Sequence, residues 1–130
     1  MDQSPLVTEA IEAGARFLEE FDKVVPVRAA FWLWFNEEDS PYLYITSNQI
    51  IDGTVATTYR EVGRIAREFR DPHFDQFRIK LLKRDDQFAK AGIEFLERFN
   101  VKAPTRLRDR MFGGRWVEEI CIYPNPVAVP

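Results

Sequence analysis

Val7, Ile11, Gly14, Leu18 and Phe21 recur at intervals of three or four, the spacing of one helix face, while Glu9, Glu12, Arg16, Glu19, Glu20 and Lys23 fill the opposite side. With Ser4 as N-cap and Pro5 in the first turn, this pattern predicts a helix from Pro5 to Lys23, stopped ahead of Pro26. The pattern then changes. In "RAAFWLWFNEEDSPYLYITS", Arg28 to Ser47, two apolar runs flank the polar cluster Asn36 to Ser40, which predicts two strands joined as a β-hairpin. Asp52 and Gly53 introduce a second helix, with Val55, Tyr59, Val62, Ala66 and Phe69 on its inner face and Asp71 and Pro72 at its end. A strand over Phe77 to Lys83 follows, and Asp85 or Asp86 then caps a third helix whose inner face is Phe88, Ala91, Gly92, Phe95, Leu96 and Phe99. Beyond Pro104, Arg106 to Phe112 and Trp116 to Tyr123 flank Gly113 and Gly114, a second hairpin.

The order α-ββ-α-β-α-ββ, without internal repeat or linker, predicts an α+β fold in two layers, with a roughly five-stranded mixed sheet and three helices packed mainly on one face. Residues 1–123 form the single expected domain and 124–130 an extended tail. Gly14, Gly63 and Gly92 lie on or beside the apolar stripes of the three helices. A glycine there costs about 1 kcal/mol relative to alanine, which close packing would offset.

If all three helices share one face, alternation along the first hairpin decides what the other face shows. Phe31, Leu33, Phe35, Leu43 and Ile45 go under the helices in a register that pairs Trp34 with Tyr42 or Tyr44. Trp32, Trp34, Tyr42 and Tyr44 then gather on the open side. These side chains combine large apolar area with a hydrogen-bonding edge, so they are the candidate interface, most simply within a homodimer. The alternative is that a helix crosses to cover that face and the rings are core.

A chain of 130 residues with 45% hydrophobic side chains is long enough to bury a core. Its single Cys121 and single His73 remove internal disulfides and the usual zinc spacings, so neither a metal nor another cofactor is expected. No apolar run approaches the roughly 20 residues of a membrane helix, and the N-terminal stretch has no basic segment leading into an apolar one, so the expected location is cytoplasmic and no membrane contact is expected.

The net charge of −3 divides unevenly, with ten acidic and four basic side chains in residues 1–60 against eleven and fourteen in 61–130. Arg106, Arg108, Arg110 and Arg115 are the candidate anion-binding side chains, and with the sheet aromatics they would suit single-stranded nucleic acid. The overall acidity and the lack of an RNP-like run argue against that partner.

Enzyme motifs are missing as well: the chain has no phosphate-cradling glycine loop, no H-E-x-x-H and no nucleophile elbow. The segment "RDPHFDQFRIK" places Asp71, His73, Asp75 and Lys80 together, and an acid–base or metal-dependent enzyme would draw on His73, Asp75 and Glu118. A helix stop followed by a strand start explains the same residues. Glu118 alternates with Ile120 and Ile122, which predicts a half-buried acid in need of a donor. Arg110 supplies that donor if the hairpin loop holds three residues; a two-residue loop sets Asp109 opposite Glu118 instead.

The segments "PVRAAFW" and "VEEICIYP" resemble those of a family of small bacterial proteins of unknown function, over most of the chain, and the resemblance implies no activity. The reading from sequence is therefore a small interaction or regulatory module, self-associating or bound to an unidentified protein, rather than an enzyme.

Overall fold

The computed structural model describes residues 4–126. Its elements are α1 (Thr8–Asp22), β1 (Ala29–Trp34), β2 (Tyr42–Thr46), α2 (Val55–Phe69), a 3-10 turn (Gln76–Arg78), β3 (Ile79–Leu82), α3 (Gln87–Arg98), β4 (Thr105–Phe112) and β5 (Arg115–Ile122). They follow the expected order and build an α+β fold on one open five-stranded sheet, β3-β2-β1-β5-β4. Both hairpins are antiparallel, and the parallel pairing of β2 with β3 across α2 makes the sheet mixed. None of the helices is long and apolar enough to cross a membrane, among the described residues.

Helix α1 starts three residues later than Pro5. Ser4 does not cap it: its hydroxyl accepts from the Leu6 amide and donates to Glu119, while Leu6 is buried. Asp86 does cap α3, accepting from the amides of Phe88 and Ala89.

Two of the three helices, α1 and α2, form a layer on one face, over Trp32, Leu43, Ile45, Cys121 and Tyr123. Helix α3 lies across the other face, over Phe31, Leu33, Tyr44, Ile120 and Ile122. Topology explains the division. The chain leaves β3 at one edge and must reach β4 at the other, four strand spacings of about 4.8 Å away, about 19 Å in all, and a 12-residue helix at about 1.5 Å per residue spans that distance. With α1 and α2 already on one side, this crossing runs over the other. The face expected to stay open is therefore covered, and β1, at the centre of the sheet, is buried on both sides, as its unbroken apolar run AAFWLW allows.

The glycines record how close these layers come. A Cβ on Gly14 would stand 2.5 Å from the Tyr123 hydroxyl and 3.2 Å from the Trp32 ring, and one on Gly92 would press into the Phe31 ring, at 2.8 Å from Cδ1. Gly63 differs, because a Cβ there would meet only the side-chain ends of Arg67 and Gln76, at 3.4 and 3.5 Å. Close packing thus accounts for two of the three. Of the expected tail, Pro124 is buried and Asn125 donates to the Arg28 carbonyl, while 127–130 lie outside the described residues.

Candidate functional site

The four rings do not share a face. Trp32 stands opposite Leu43, Leu33 opposite Tyr42 and Phe31 opposite Tyr44, one residue out of step with the expected register. Trp32 is buried under α1, where its indole N–H donates to the Tyr123 hydroxyl at 2.8 Å. Tyr44 is buried on the other side, stacked on Phe31 at 5.9 Å between centroids and tilted against Phe88 of α3. Trp34 is half-buried and donates to the Glu38 carbonyl at 3.0 Å, and Tyr42 is half-buried beneath Arg78 and Lys80, whose charges sit 4.8 and 4.4 Å from its ring. The continuous aromatic surface expected from alternation is absent because helices cover both sides of the sheet.

The arginines of β4 are also divided. The hairpin loop is the two-residue Gly113-Gly114, both at positive φ (61° and 81°), as a tight primed turn requires. This places Asp109 opposite Glu118, and Asp109 leaves the extended region for a φ of 51°. Val117 packs under α3 together with Ile120 and Ile122, although strict alternation from Ile120 would send it to the opposite face, so the strands exchange faces at this point. Arg106 consequently points to the α1 side and Arg110 lines a groove beside Arg98 of α3. Glu118 is half-buried as expected, but the acid that is fully sequestered is its neighbour, Glu119, 2% exposed. Arg106 donates to Glu119 through Nε at 2.9 Å and to the Leu6 carbonyl at 2.7 Å. Arg115 pairs with Glu37 and lies 4.0 Å over the Phe35 ring. Only Arg108 and Arg110 of the four carry no ion pair among the described residues, and they are not a continuous basic strip.

The acid–base candidates are spread out and have local duties. Asp75 Oδ1 accepts from the Phe77 amide at 2.8 Å and starts the 3-10 turn. Asp71 accepts from the His73 amide at 2.8 Å and from Arg16 at 2.5 Å, and these donors, the amide first, hold its carboxyl below the usual carboxylate range. His73 is exposed, and Glu118 on β5 is separated from β3 by two intervening strands. Among the described residues no three His, Cys, Asp or Glu side chains cluster as a metal site would need. Burial pushes the Cys121 thiol up to about 12, which keeps it out of nucleophilic chemistry near neutral pH.

What the fold leaves open lies between α2 and the entry to β3. Ala56, Arg60, Gly63 and Arg67, spaced by four, three and four residues, run along one line of α2 and border a groove of about 510 Å³ closed on its other side by Gln76 and Phe77. Phe77 is 80% exposed, the most exposed large apolar side chain of the described residues. Strand alternation would have placed it inward with Ile79 and Leu81, but the Asp75 cap takes it off the strand. Tyr59, expected on the inner face, is 40% exposed; its hydroxyl accepts the outward amide of Leu81 at 2.9 Å, which covers part of the β3 edge and fixes the groove wall. The side-chain oxygen of Gln76 is buried without a hydrogen-bond partner among the described residues.

Carboxylates near this groove are engaged elsewhere. Glu61 and Glu68 pair with Arg64, Asp71 with Arg16, and Asp75 caps its turn. Arg60 and Arg67 have no ion pair among the described residues. The sequence carried one legible sign of the groove, a glycine inside α2 that no packing contact requires.

No protein-family model, curated protein or solved structure matches this chain.

Proposed function

We propose that the protein is a small protein-interaction module whose contact surface is the groove between α2 and β3. One observation carries this reading: Phe77 stands 80% exposed at the mouth of a groove whose two bordering arginines lack carboxylate partners among the described residues. An aromatic anchor beside arginines is the composition enriched at the centre of protein interfaces. The groove, rather than the four hairpin rings, takes the role expected of an aromatic surface.

Self-association is a second reading, supported by a different observation. Met111 and Trp116 stand opposite each other across the second hairpin and are 57% and 52% exposed. Light-scattering mass separates the two readings: a dimer that Trp116→Ser reduces to a monomer, with Phe77→Ala without effect, favours the hairpin surface.

The groove is tested by placing a photo-cross-linking side chain at position 77 and, as a control, at the exposed position 102 in the native host. A discrete adduct formed from 77 and not from 102 is expected. Equal labelling from both positions, or none from 77, overturns the reading.

A further inference from the structure

Resting on that interaction reading, we infer that the groove receives an acidic peptide segment, one that carries an apolar side chain between carboxylates. Three features of the groove define this occupant. Arg60 and Arg67 lie seven residues apart on one line of α2, about 10 Å along the axis at 1.5 Å per residue. Carboxylates two to four positions apart on an extended chain, at about 3.3 Å per residue, reach both. Neither arginine forms an ion pair among the described residues: Glu61 and Glu68 pair with Arg64, Asp71 with Arg16, and Asp75 caps its own turn.

The second feature is apolar. Gly63 puts no side chain on the line between the arginines, and only the flexible ends of Arg67 and Gln76 lie over it, so an apolar side chain walled by Tyr59 and Phe77 settles there once those ends turn aside. The third is Gln76, whose buried side-chain oxygen lacks a partner among the described residues. A buried acceptor left unpaired is costly, and a rotation of this side chain toward the groove would let a peptide N–H donate to it. A nucleic-acid phosphate offers acceptors only, and the protein's net charge of −3 opposes a polyanion of that density.

The probe is a fluorescein-labelled, N-acetylated peptide Glu-Glu-Leu-Glu-Glu, measured by anisotropy against its lysine counterpart and a thymidine oligonucleotide, with amide chemical shifts followed on the full chain. The glutamate peptide is expected to bind about tenfold or more tightly than the lysine peptide, to weaken as salt rises, and to shift the amides of Gly63, Gln76 and Phe77. Arg60→Glu with Arg67→Glu, and separately Gly63→Leu, should each reduce binding about tenfold while the remaining amide spectrum shows a folded protein. Absence of binding, equal binding of the lysine peptide, tighter binding of the oligonucleotide, or indifference to both variants overturns the inference. If position 77 still cross-links a partner when the acidic peptide fails, the interaction surface stands and its acidic specificity falls; if both fail, the groove is not the surface.

Discussion

The indole N–H of Trp32 donates to the hydroxyl of Tyr123 at 2.8 Å, and that hydroxyl donates onward to the Ile11 carbonyl at 2.6 Å, directly beneath Gly14. One oxygen thus joins β1, the end of β5 and α1 in the core, and it is the reason a tryptophan is tolerated there. A buried indole needs an acceptor, and the carbonyl of Ile11, one turn from the close approach at Gly14, gains a donor.

Tyr123→Phe removes that oxygen and strands the Trp32 N–H among apolar neighbours. The expected loss is about 1–3 kcal/mol, the cost of an unsatisfied buried polar group. Urea unfolding followed by tryptophan fluorescence measures it; a midpoint unchanged from wild type would show that water reaches both groups.

The three helical glycines should separate under alanine substitution. Gly14→Ala sets a methyl 2.5 Å from the Tyr123 hydroxyl and Gly92→Ala drives one into the Phe31 ring, so both should lower the melting temperature although alanine favours the helix. Gly63→Ala meets only flexible side-chain ends and should raise stability by up to about 1 kcal/mol. A destabilised Gly63→Ala protein would mean that α2 approaches another element there.

Among the described residues Arg106 and Glu119 form the one ion pair with a fully sequestered acid, since Glu119 is 2% exposed while Arg106 keeps 38% of its side chain in contact with solvent. Arg106→Met leaves the carboxylate with the Ser4 hydroxyl alone. Its cost should fall near the lower end of the about 3–5 kcal/mol typical of breaking such a pair, because the partner is partly solvated. Arg106→Met with Glu119→Leu should cost less than Arg106→Met alone. A double-mutant cycle in urea decides, and simple additivity would mean that the pair has no coupling to measure.

The order of elements was legible in the sequence because several boundaries carry their own chemistry: Asp86 before α3, Gly113-Gly114 between β4 and β5, Pro72 after α2. The placement of the helices was not. Phe31, Leu33 and Phe35 and their neighbours Trp32 and Trp34 are all large and apolar enough for a core, so alternation could not say that both faces of β1 are covered. The register of the first hairpin was lost with it, since a seven-residue connection from Phe35 to Pro41 fixes no parity by turn type. Two signals pointed to the actual arrangement: the unbroken apolar run of a central strand, and a glycine on a helix at each face, Gly14 toward Trp32 and Gly92 toward Phe31. The groove was harder to read, because Phe77 leaves the strand pattern only through the cap that Asp75 makes on its amide.

Alkaline pH should weaken the fold through three buried side chains that stay protonated in it. Burial pushes Cys121 from 9.0 up to about 12, and burial likewise holds Tyr44 and Tyr123 above the ordinary phenol value of 10.0, in Tyr123 against the lowering effect of the Trp32 donor. All three keep their protons in the folded state to higher pH than in the unfolded chain. Below pH 9.0 both states are protonated and these groups leave stability unchanged; above it the unfolded state gains by ionising, and stability falls toward pH 12. The slope is about 1.4 kcal/mol per pH unit for each group that has begun to titrate in the unfolded chain, first Cys121 and then the tyrosines. Urea midpoints measured from pH 7 to 11 should therefore decline in two stages, and Cys121→Ala should flatten the first without altering the second. An identical decline in that variant would place the early loss on another group and leave the buried thiol without a part in it.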